Sequence, residues 1–519
     1  MKRFAYFHPY VFAATSTLFV YLYVWIEEAP SLTILGVIGF VLLLLFLLSL
    51  FIRRFIPDLF WSQLVLTIIS LTFFSVPRFF YVALIALLAV FFLTFIAFKI
   101  TKRKLQQTHV IFLLNATSLA MLGALLWTLV QPLLVIPWTD YFEHLATAQQ
   151  PAPLEAGRLP SELPDIYFIV LDGYGRSDIL EKYYGFSNGP FLDELRAKGF
   201  VIPKRSQSNY ARTAFSLVAL LNMDYVQNLL PDLGAISFWW LMKPLIENGK
   251  VHTTLRAAGY KTVAIATSWS LSNNSSADVY YRPKPLHFVG YPGTYIRLTP
   301  MKAFTPLLGH FAFIPNRRSH AELTNYTFDT LAQISQTPSR SPRFVFAHIV
   351  APHPPFVFDA AGNLRNSDRP FTFFDGNDFP GDSTAYRQGY TGQLLYINTR
   401  LMETMDAILA RSSRPVVLIL TGDHGPGMWT NFLSADHTCL EERFSAFTAL
   451  YLPGVDPSSV PDDLSSVNIF RFVLNAYLGT QFSLLENRNY FNFYTLYSFE
   501  DVTGRVPLSC NGTNEQLPR

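Results

Sequence analysis

Apolar and polar positions follow two different rhythms along this chain, and the change falls near residue 137. Before it, apolar residues run on without a period: Tyr10 to Ile26, Leu32 to Ile52, Leu59 to Val76, Phe79 to Ile100, and Val110 to Ile136. Hydrocarbon offers no partner to a free backbone amide, so five such runs in close succession predict five transmembrane helices rather than five core helices. Few ionisable residues interrupt them, which argues for an anchor and against an ion path or proton relay. After the change, short apolar runs alternate with helix-like segments. Asp165 to Leu171, Lys261 to Thr267, Arg343 to Val350 and Pro415 to Thr421 are nearly continuous apolar stretches, as expected of strands buried on both faces. Between them, Gly189 to Gly199, Thr253 to Gly259 and Gln393 to Ala410 read as helices. Strands alternating with helices predict an α/β domain with a largely parallel central sheet.

The domain boundaries follow. A membrane domain of five helices occupies residues 1–137, a linker residues 138–164, and an α/β domain residues 165–519. The proline-rich stretch ending at Pro164 marks the linker's second half. Orientation comes from the flanking charges, since Lys and Arg tend to remain cytoplasmic. Lys2, Arg3, Arg53, Arg54, Lys99, Lys102, Arg103 and Lys104 would share one side, while Glu27, Glu28, Arg78, Asp140 and Glu143 would share the other. With the N-terminus inside, an odd number of spans leaves the α/β domain outside the cell, tethered to the plasma (inner) membrane. The first run is expected to remain, because no convincing small-residue cleavage site follows it.

Composition narrows the classes. Half of the 519 residues are hydrophobic and 15% are charged, which is too apolar for an ordinary soluble protein. A formal charge of +3, with no basic arm outside the short loops flanking the spans, gives no reason to expect a nucleic-acid partner. Two cysteines, Cys439 and Cys510, are too few for a zinc ribbon or an iron-sulfur site. Outside the cell they can form one disulfide; two buried thiols fit the sequence equally.

In parallel sheets, ligands bind beyond the carboxyl ends of the strands. Asp172 follows the first strand in LDGYG, His353 follows the third in APHPPF, and Asp423 and His424 follow the fourth in TGDHGPG. Two carboxylates and two imidazoles at one sheet edge suit a divalent cation. An Asp before Gly is more often an ordinary turn residue. The adjacent Asp423 and His424, between Gly422 and Gly425, carry more weight because glycines let the backbone approach an ion.

Together these residues resemble the alkaline phosphatase and sulfatase superfamily, in particular its membrane-anchored branch of lipoteichoic acid synthases and phosphoethanolamine transferases. The segments ending at Asp172, LRAAGYKTVAI (Leu255 to Ile265), FVFAHIVAPHPPF (Phe344 to Phe356) and LILTGDHG (Leu418 to Gly425) carry the resemblance, the last most specifically. It implies a sulfatase-like catalytic domain and a nucleophile at a helix start within Ser206 to Met223. Aligning the hydroxyls places Thr213 there, with Ser208 and Ser216 as competitors. The C/S-x-P-x-R context of aldehyde-bearing sulfatases is missing, and Thr cannot become formylglycine, so the resemblance favours the threonine-using transferases.

On this resemblance one divalent ion is held by Asp172, Thr213, Asp423 and His424; manganese is its first choice, and magnesium or zinc also suit the donors. Thr213 would attack a phosphodiester and form a phosphothreonine, with His353 as acid or substrate ligand, and Asn209 and Arg443 as further substrate-binding candidates. The donor would be a phospholipid or another phosphate or sulfate ester, and the acceptor a glycan or lipid. A hydrolase with the same site, and an inert membrane-anchored scaffold, are the competing readings. His437 and His348 have ordinary explanations, a surface loop and a hydrogen-bonded core position.

Overall fold

The computed structural model describes residues 6–24, 33–75, 77–100, 106–154, 162–233, 238–283, 295, 298–304, 316–367, 369, 371–493, 498–506 and 510. The chain divides into two units: Met1–Ile136 with His287–Pro315, and Pro137–Leu286 with Asn316–Arg519. The assignment of 287–315 to the first unit departs from the single 165–519 domain expected from sequence.

Helices occupy all five apolar runs of the first unit: α1 (His8–Val24), α2 (Thr33–Phe55), α3 (Leu59–Phe73), α4 (Pro77–Ile100) and α5 (Gln107–Val135). Among the described residues, two segments, Ile34–Phe55 and Gln107–Val135, are long and apolar enough to cross a membrane. At 17 and 15 residues, α1 and α3 fall short of the roughly 20 that a crossing requires. Hydroxyls inside α1 satisfy themselves on its own backbone: Thr15, Ser16 and Thr17 donate to the carbonyls four residues back at 2.7, 2.8 and 2.8 Å. Tyr295 donates its hydroxyl to the Phe74 carbonyl, just past the end of α3, at 3.1 Å.

The second unit opens with α6 (Trp138–Ala148), where a linker was expected from residue 138. Its WTDYFEHLATA sequence buries Tyr141 and Ala148 on one stripe, and the Tyr141 hydroxyl donates to the Leu241 carbonyl at 2.9 Å. Residues 155–161 of the expected linker lie outside the described residues.

Six strands form the central sheet: β1 (Asp165–Leu171), β2 (Lys261–Ile265), β3 (Val279–Tyr281), β4 (Arg343–Ile349), β5 (Val416–Gly422) and β6 (Thr448–Tyr451). Their order is β3-β2-β4-β1-β5-β6, with only β6 antiparallel. A separate antiparallel pair joins β7 (Tyr490–Asn492) to β8 (Phe499–Asp501). Every residue of β1, β4 and β5 is buried, because both faces of the sheet are covered. On one face Tyr167, Ile169 and Leu171 pack with Val345, Leu418 and the helices Arg317–Gln336 and Ser383–Arg411. On the other, the rings of Phe168, Phe344, Phe346 and Phe470 stack or meet edge to face.

The amino-terminal edge of β1 and β4 is pinned by a buried ion pair. Arg343 donates from Nε and Nη2 to Asp165 Oδ2 at 2.9 and 2.5 Å, and from its backbone to Oδ1 at 2.8 Å. This bidentate contact fixes the register of the two strands. At the opposite edge Leu171 lies level with Gly422 on one side and Ile349 on the other. Asp172 and Asp423 therefore leave the sheet side by side.

Candidate active site

Three strand ends and one helix start meet at that carboxyl edge. The turn after β1 is held by Gly173, whose φ of +71° is a left-handed conformation that favours glycine. Its amide donates to Asp423 Oδ1 at 2.9 Å, and its carbonyl accepts from the Tyr390 hydroxyl at 2.9 Å. The first contact joins the β1 and β5 ends; the second ties both to the long helix Ser383–Arg411.

Asp172, Asp423 and His424 each offer a ligand atom, all within 4.8 Å of one another, and all three residues are buried. His424 Nε2 lies 3.2 Å from Asp423 Oδ2 and 3.6 Å from Asp172 Oδ1. Its Nδ1 sits 2.8 Å from the Gly425 carbonyl. An N–H at Nδ1 donating there leaves the Nε2 lone pair facing the carboxylates. Asp172 Oδ1 and Asp423 Oδ2 are buried with no hydrogen-bond partner. Two buried carboxylate oxygens without donors, beside an imidazole lone pair, fit a cation that would neutralise them all. Burial, reinforced by the charge of Arg443, lowers the His424 pKa and keeps the ring neutral, as a ligand must be. Burial would raise Asp172, but the charge of His353 and the nearby imidazoles of His348 and His424 outweigh it and hold the carboxyl well below the usual range.

The flanking glycines stand where neighbouring backbone comes close. A Cβ on Gly422 would lie 2.5 Å from the Tyr174 carbonyl oxygen, and one on Gly425 2.0 Å from that of Glu442. They admit close backbone packing around the Asp423–His424 turn.

Thr213 is the first residue of α9 (Thr213–Asn222), which follows α7 (Ser177–Tyr184) and α8 (Gly189–Ala197). Every later residue of α9 is buried, whereas Thr213 is partly exposed. Its hydroxyl lies 3.2 Å from His424 Nε2. The competing hydroxyls point elsewhere: Ser208 and Ser216 are fully buried and each donates to the Tyr210 carbonyl at 3.1 Å.

His353 is placed through its own backbone, whose amide donates to the Asp172 carbonyl at 2.9 Å. Its Nε2 lies 3.7 Å from Asp375 Oδ2 and its ring centre 6.3 Å from that of His424. Burial opposes its protonation, but the carboxylates of Asp172 and Asp375 prevail and raise its pKa.

Arg443 is 2% exposed. It donates to Asp375 Oδ2 and to the Ala211 carbonyl, both at 2.7 Å, and its Nη2 stands 3.2 Å from His424 Nε2. Thus it touches the cluster and also braces the loop before Thr213. Asn209 does not join the cluster through any of its described hydrogen bonds. Its amide donates to the Arg488 carbonyl and accepts from the Val467 amide, both at 2.8 Å, binding three backbone segments together. His437 is exposed on its loop.

Two further residues stand beside the cluster: His348, expected as a hydrogen-bonded core position and buried as such, and Asp375, which the sequence reading did not single out. His348, in β4, places Nε2 3.5 Å from Asp172 Oδ2 while Nδ1 meets the Ser272 hydroxyl at 2.7 Å. Its signal was a histidine inside an apolar strand, level with Val170 of β1. Asp375, from a loop without periodicity, links His353, Arg443 and the Tyr386 hydroxyl; nothing in its local sequence marks it. A nearby disulfide joins Cys439 to Cys510 across Cα atoms 5.4 Å apart.

The sulfatase family's sequence profile matches residues 164–476, more than half of the chain. The chain belongs to the sulfatase family. Among solved structures it is similar to the C-terminal periplasmic domain of EptC from Escherichia coli, at 12% identity and a TM-score of 0.42, over 68% of this chain and 96% of that one. It is also similar to the lipooligosaccharide phosphoethanolamine transferase EptA from Neisseria meningitidis, at 13% identity and a TM-score of 0.39, over 80% of this chain and 69% of that one. A further likeness is to a 2-O GAG sulfatase, at 14% identity and a TM-score of 0.38, over 62% of this chain and 72% of that one. Comparison with curated protein sequences finds no match.

Proposed function

We propose that this chain is a membrane-anchored, metal-dependent phosphotransferase that moves a phosphoryl-linked group through a phosphothreonine at Thr213. The observation that carries the reading is the Thr213 hydroxyl, 3.2 Å from His424 Nε2 at a helix start, beside carboxylate oxygens that no donor satisfies. Asp172, Asp423, His424 and Thr213 would hold the divalent ion. When bound, it supplies the positive charge that favours an alkoxide over a neutral hydroxyl at neutral pH. Its identity is left to the donors, which suit manganese, magnesium and zinc.

Thr213 Oγ1 forms the new bond to phosphorus, loses its proton to solvent, and the bond from phosphorus to the departing alkoxide breaks. His353, whose protonated form the carboxylates of Asp172 and Asp375 favour against burial, gives a proton to that oxygen. An acceptor hydroxyl then attacks the phosphothreonine and frees Thr213; the same site passing the group to water is a hydrolase. Arg443, fixed by Asp375, directs its guanidinium toward the reacting oxygens. The amides at the start of α9 add positive potential there.

The five helices of the first unit would span the membrane with the N-terminus cytoplasmic, which presents the catalytic unit to outer-leaflet headgroups at high local concentration. The Cys439–Cys510 disulfide supports an extracytoplasmic, oxidising setting. Replacing Thr213 with alanine tests the reading. Turnover of bis(p-nitrophenyl) phosphate should fall by at least about a thousandfold while metal content persists, as loss of a nucleophile requires. Mass spectrometry should find a phosphoryl adduct on Thr213 in the native chain alone. Undiminished turnover in the alanine variant refutes the assignment.

A further inference from the structure

Beside the His353 loop lies a pocket of about 140 Å³ that the chemistry above does not use. Pro354 and Pro355 line it, so one of its walls continues directly from His353. Three guanidinium-bearing residues, Arg317, Arg365 and Arg369, surround it. Among the described residues, no carboxylate forms an ion pair with any of the three. Arg317 donates to the Arg369 carbonyl at 2.7 Å, which draws the two segments together without neutralising either charge. All three line the same cavity, and burial first, then the positive charges of Arg365 and Arg369, lower the Arg317 pKa. Phe356 and Phe379 also line it and give it an apolar part, their ring centres 5.6 Å apart.

Like charges gathered without counter-charge cost free energy in the empty pocket, and a multiply charged anion recovers it. Guanidinium groups match phosphate oxygens in paired hydrogen bonds, and three of them suit a dianion better than a carboxylate. The cavity has room for the anion together with part of its carrier, whose apolar face would rest on the two phenylalanines.

We propose that the Arg317–Arg365–Arg369 pocket is a substrate subsite for a dianionic phosphate monoester, distinct from the diester that reacts at Thr213. This rests on the phosphotransferase reading and extends it: one of the two substrates carries a second, unreacting phosphate. Binding energy gathered there orients the reacting group beside His353.

The test uses the full chain in detergent micelles, with radiolabelled glucose 6-phosphate as probe and EDTA present so that the metal centre contributes nothing. The double variant Arg365→Gln/Arg369→Gln alters exposed and half-buried positions, leaving the helix start at Arg317 intact. Binding should weaken by at least about tenfold, the scale of losing charge-assisted contacts. Unlabelled glucose should not compete. A short-chain phosphatidate that competes identifies a lipid carrier; competition by sugar phosphates alone identifies a glycan. Turnover of bis(p-nitrophenyl) phosphate, which lacks a second phosphate, should match wild type in the double variant. Unchanged probe binding in the double variant overturns the subsite, as does binding seen only without EDTA, and so does turnover that falls in step with binding. If Thr213→Ala still turns over, the nucleophile assignment fails while the binding result stands independently.

Discussion

Replacing Asp423 with asparagine separates what the cluster costs the fold from what it offers a cation. In the native chain the Asp172 and Asp423 oxygens are within 4.8 Å of each other. Two unit charges at that distance repel by about 3.5 kcal/mol at an effective dielectric near 20. The neighbouring Arg443 charge and the His353 imidazole offset part of this, leaving on the order of 1–2 kcal/mol. Asparagine retains the Oδ1 that accepts the Gly173 amide, so the variant removes charge and keeps the strand-end contact. In EDTA its unfolding midpoint should therefore equal or exceed that of wild type. Metal at a hundredfold excess over its dissociation constant should stabilise wild type by about 2.7 kcal/mol, a rise of roughly 5 °C, and the variant by little. Tryptophan fluorescence during heating of the detergent-solubilised chain, with EDTA or with manganese, magnesium or zinc, provides the measurement. Two results would defeat the reasoning: a wild-type midpoint indifferent to every metal, or a variant that loses stability in EDTA yet gains as much from metal as wild type does.

Other consequences concern the scaffold. Glu442 is fully buried, and burial raises its pKa to about 7. Between its ordinary value near 4.5 and 7 the folded state binds more protons than the unfolded one, so stability falls as pH rises through that window. Glu442→Gln keeps an acceptor for the Trp429 amide or Tyr184 hydroxyl and should flatten this fall, gaining up to about 3 kcal/mol above pH 7 in denaturant titrations at several pH values. The Cys439–Cys510 bond closes a loop with a sequence separation of 71, for which chain entropy gives about 4 kcal/mol. The double alanine variant should show that loss in denaturant unfolding; an unchanged midpoint would mean that the reduced chain already restricts this loop.

How far the sequence reached can be judged element by element. Continuous apolar runs located β1, β4 and β5 to within a residue, because strands covered on both faces leave no polar position to blur them. The same runs located five helices, but not which of them are long enough to cross a membrane, since a run's ends depend on where the backbone turns. Amphipathic α6 reads as linker because its buried stripe, Tyr141 and Ala148, is sparse and its partner, Leu241, lies far along the chain. The residues after the strand ends were legible because parallel topology fixes which edge receives them, and that alone put Asp172, Asp423, His424 and His353 on one side of the sheet.

What composition and order determined was therefore the alternation of elements, the sheet's parallel sense and the identity of the groups at its carboxyl edge. Tertiary structure decided the rest: that Thr213, rather than Ser208 or Ser216, turns toward His424; that Asn209 is consumed by backbone; and that Asp375 couples His353 to Arg443. The physical reason is range. Periodicity and strand order are properties of neighbouring residues, whereas a hydroxyl's direction or a carboxylate's partner depends on segments hundreds of positions apart meeting at distances of about 3 Å, where a single hydrogen bond settles the choice.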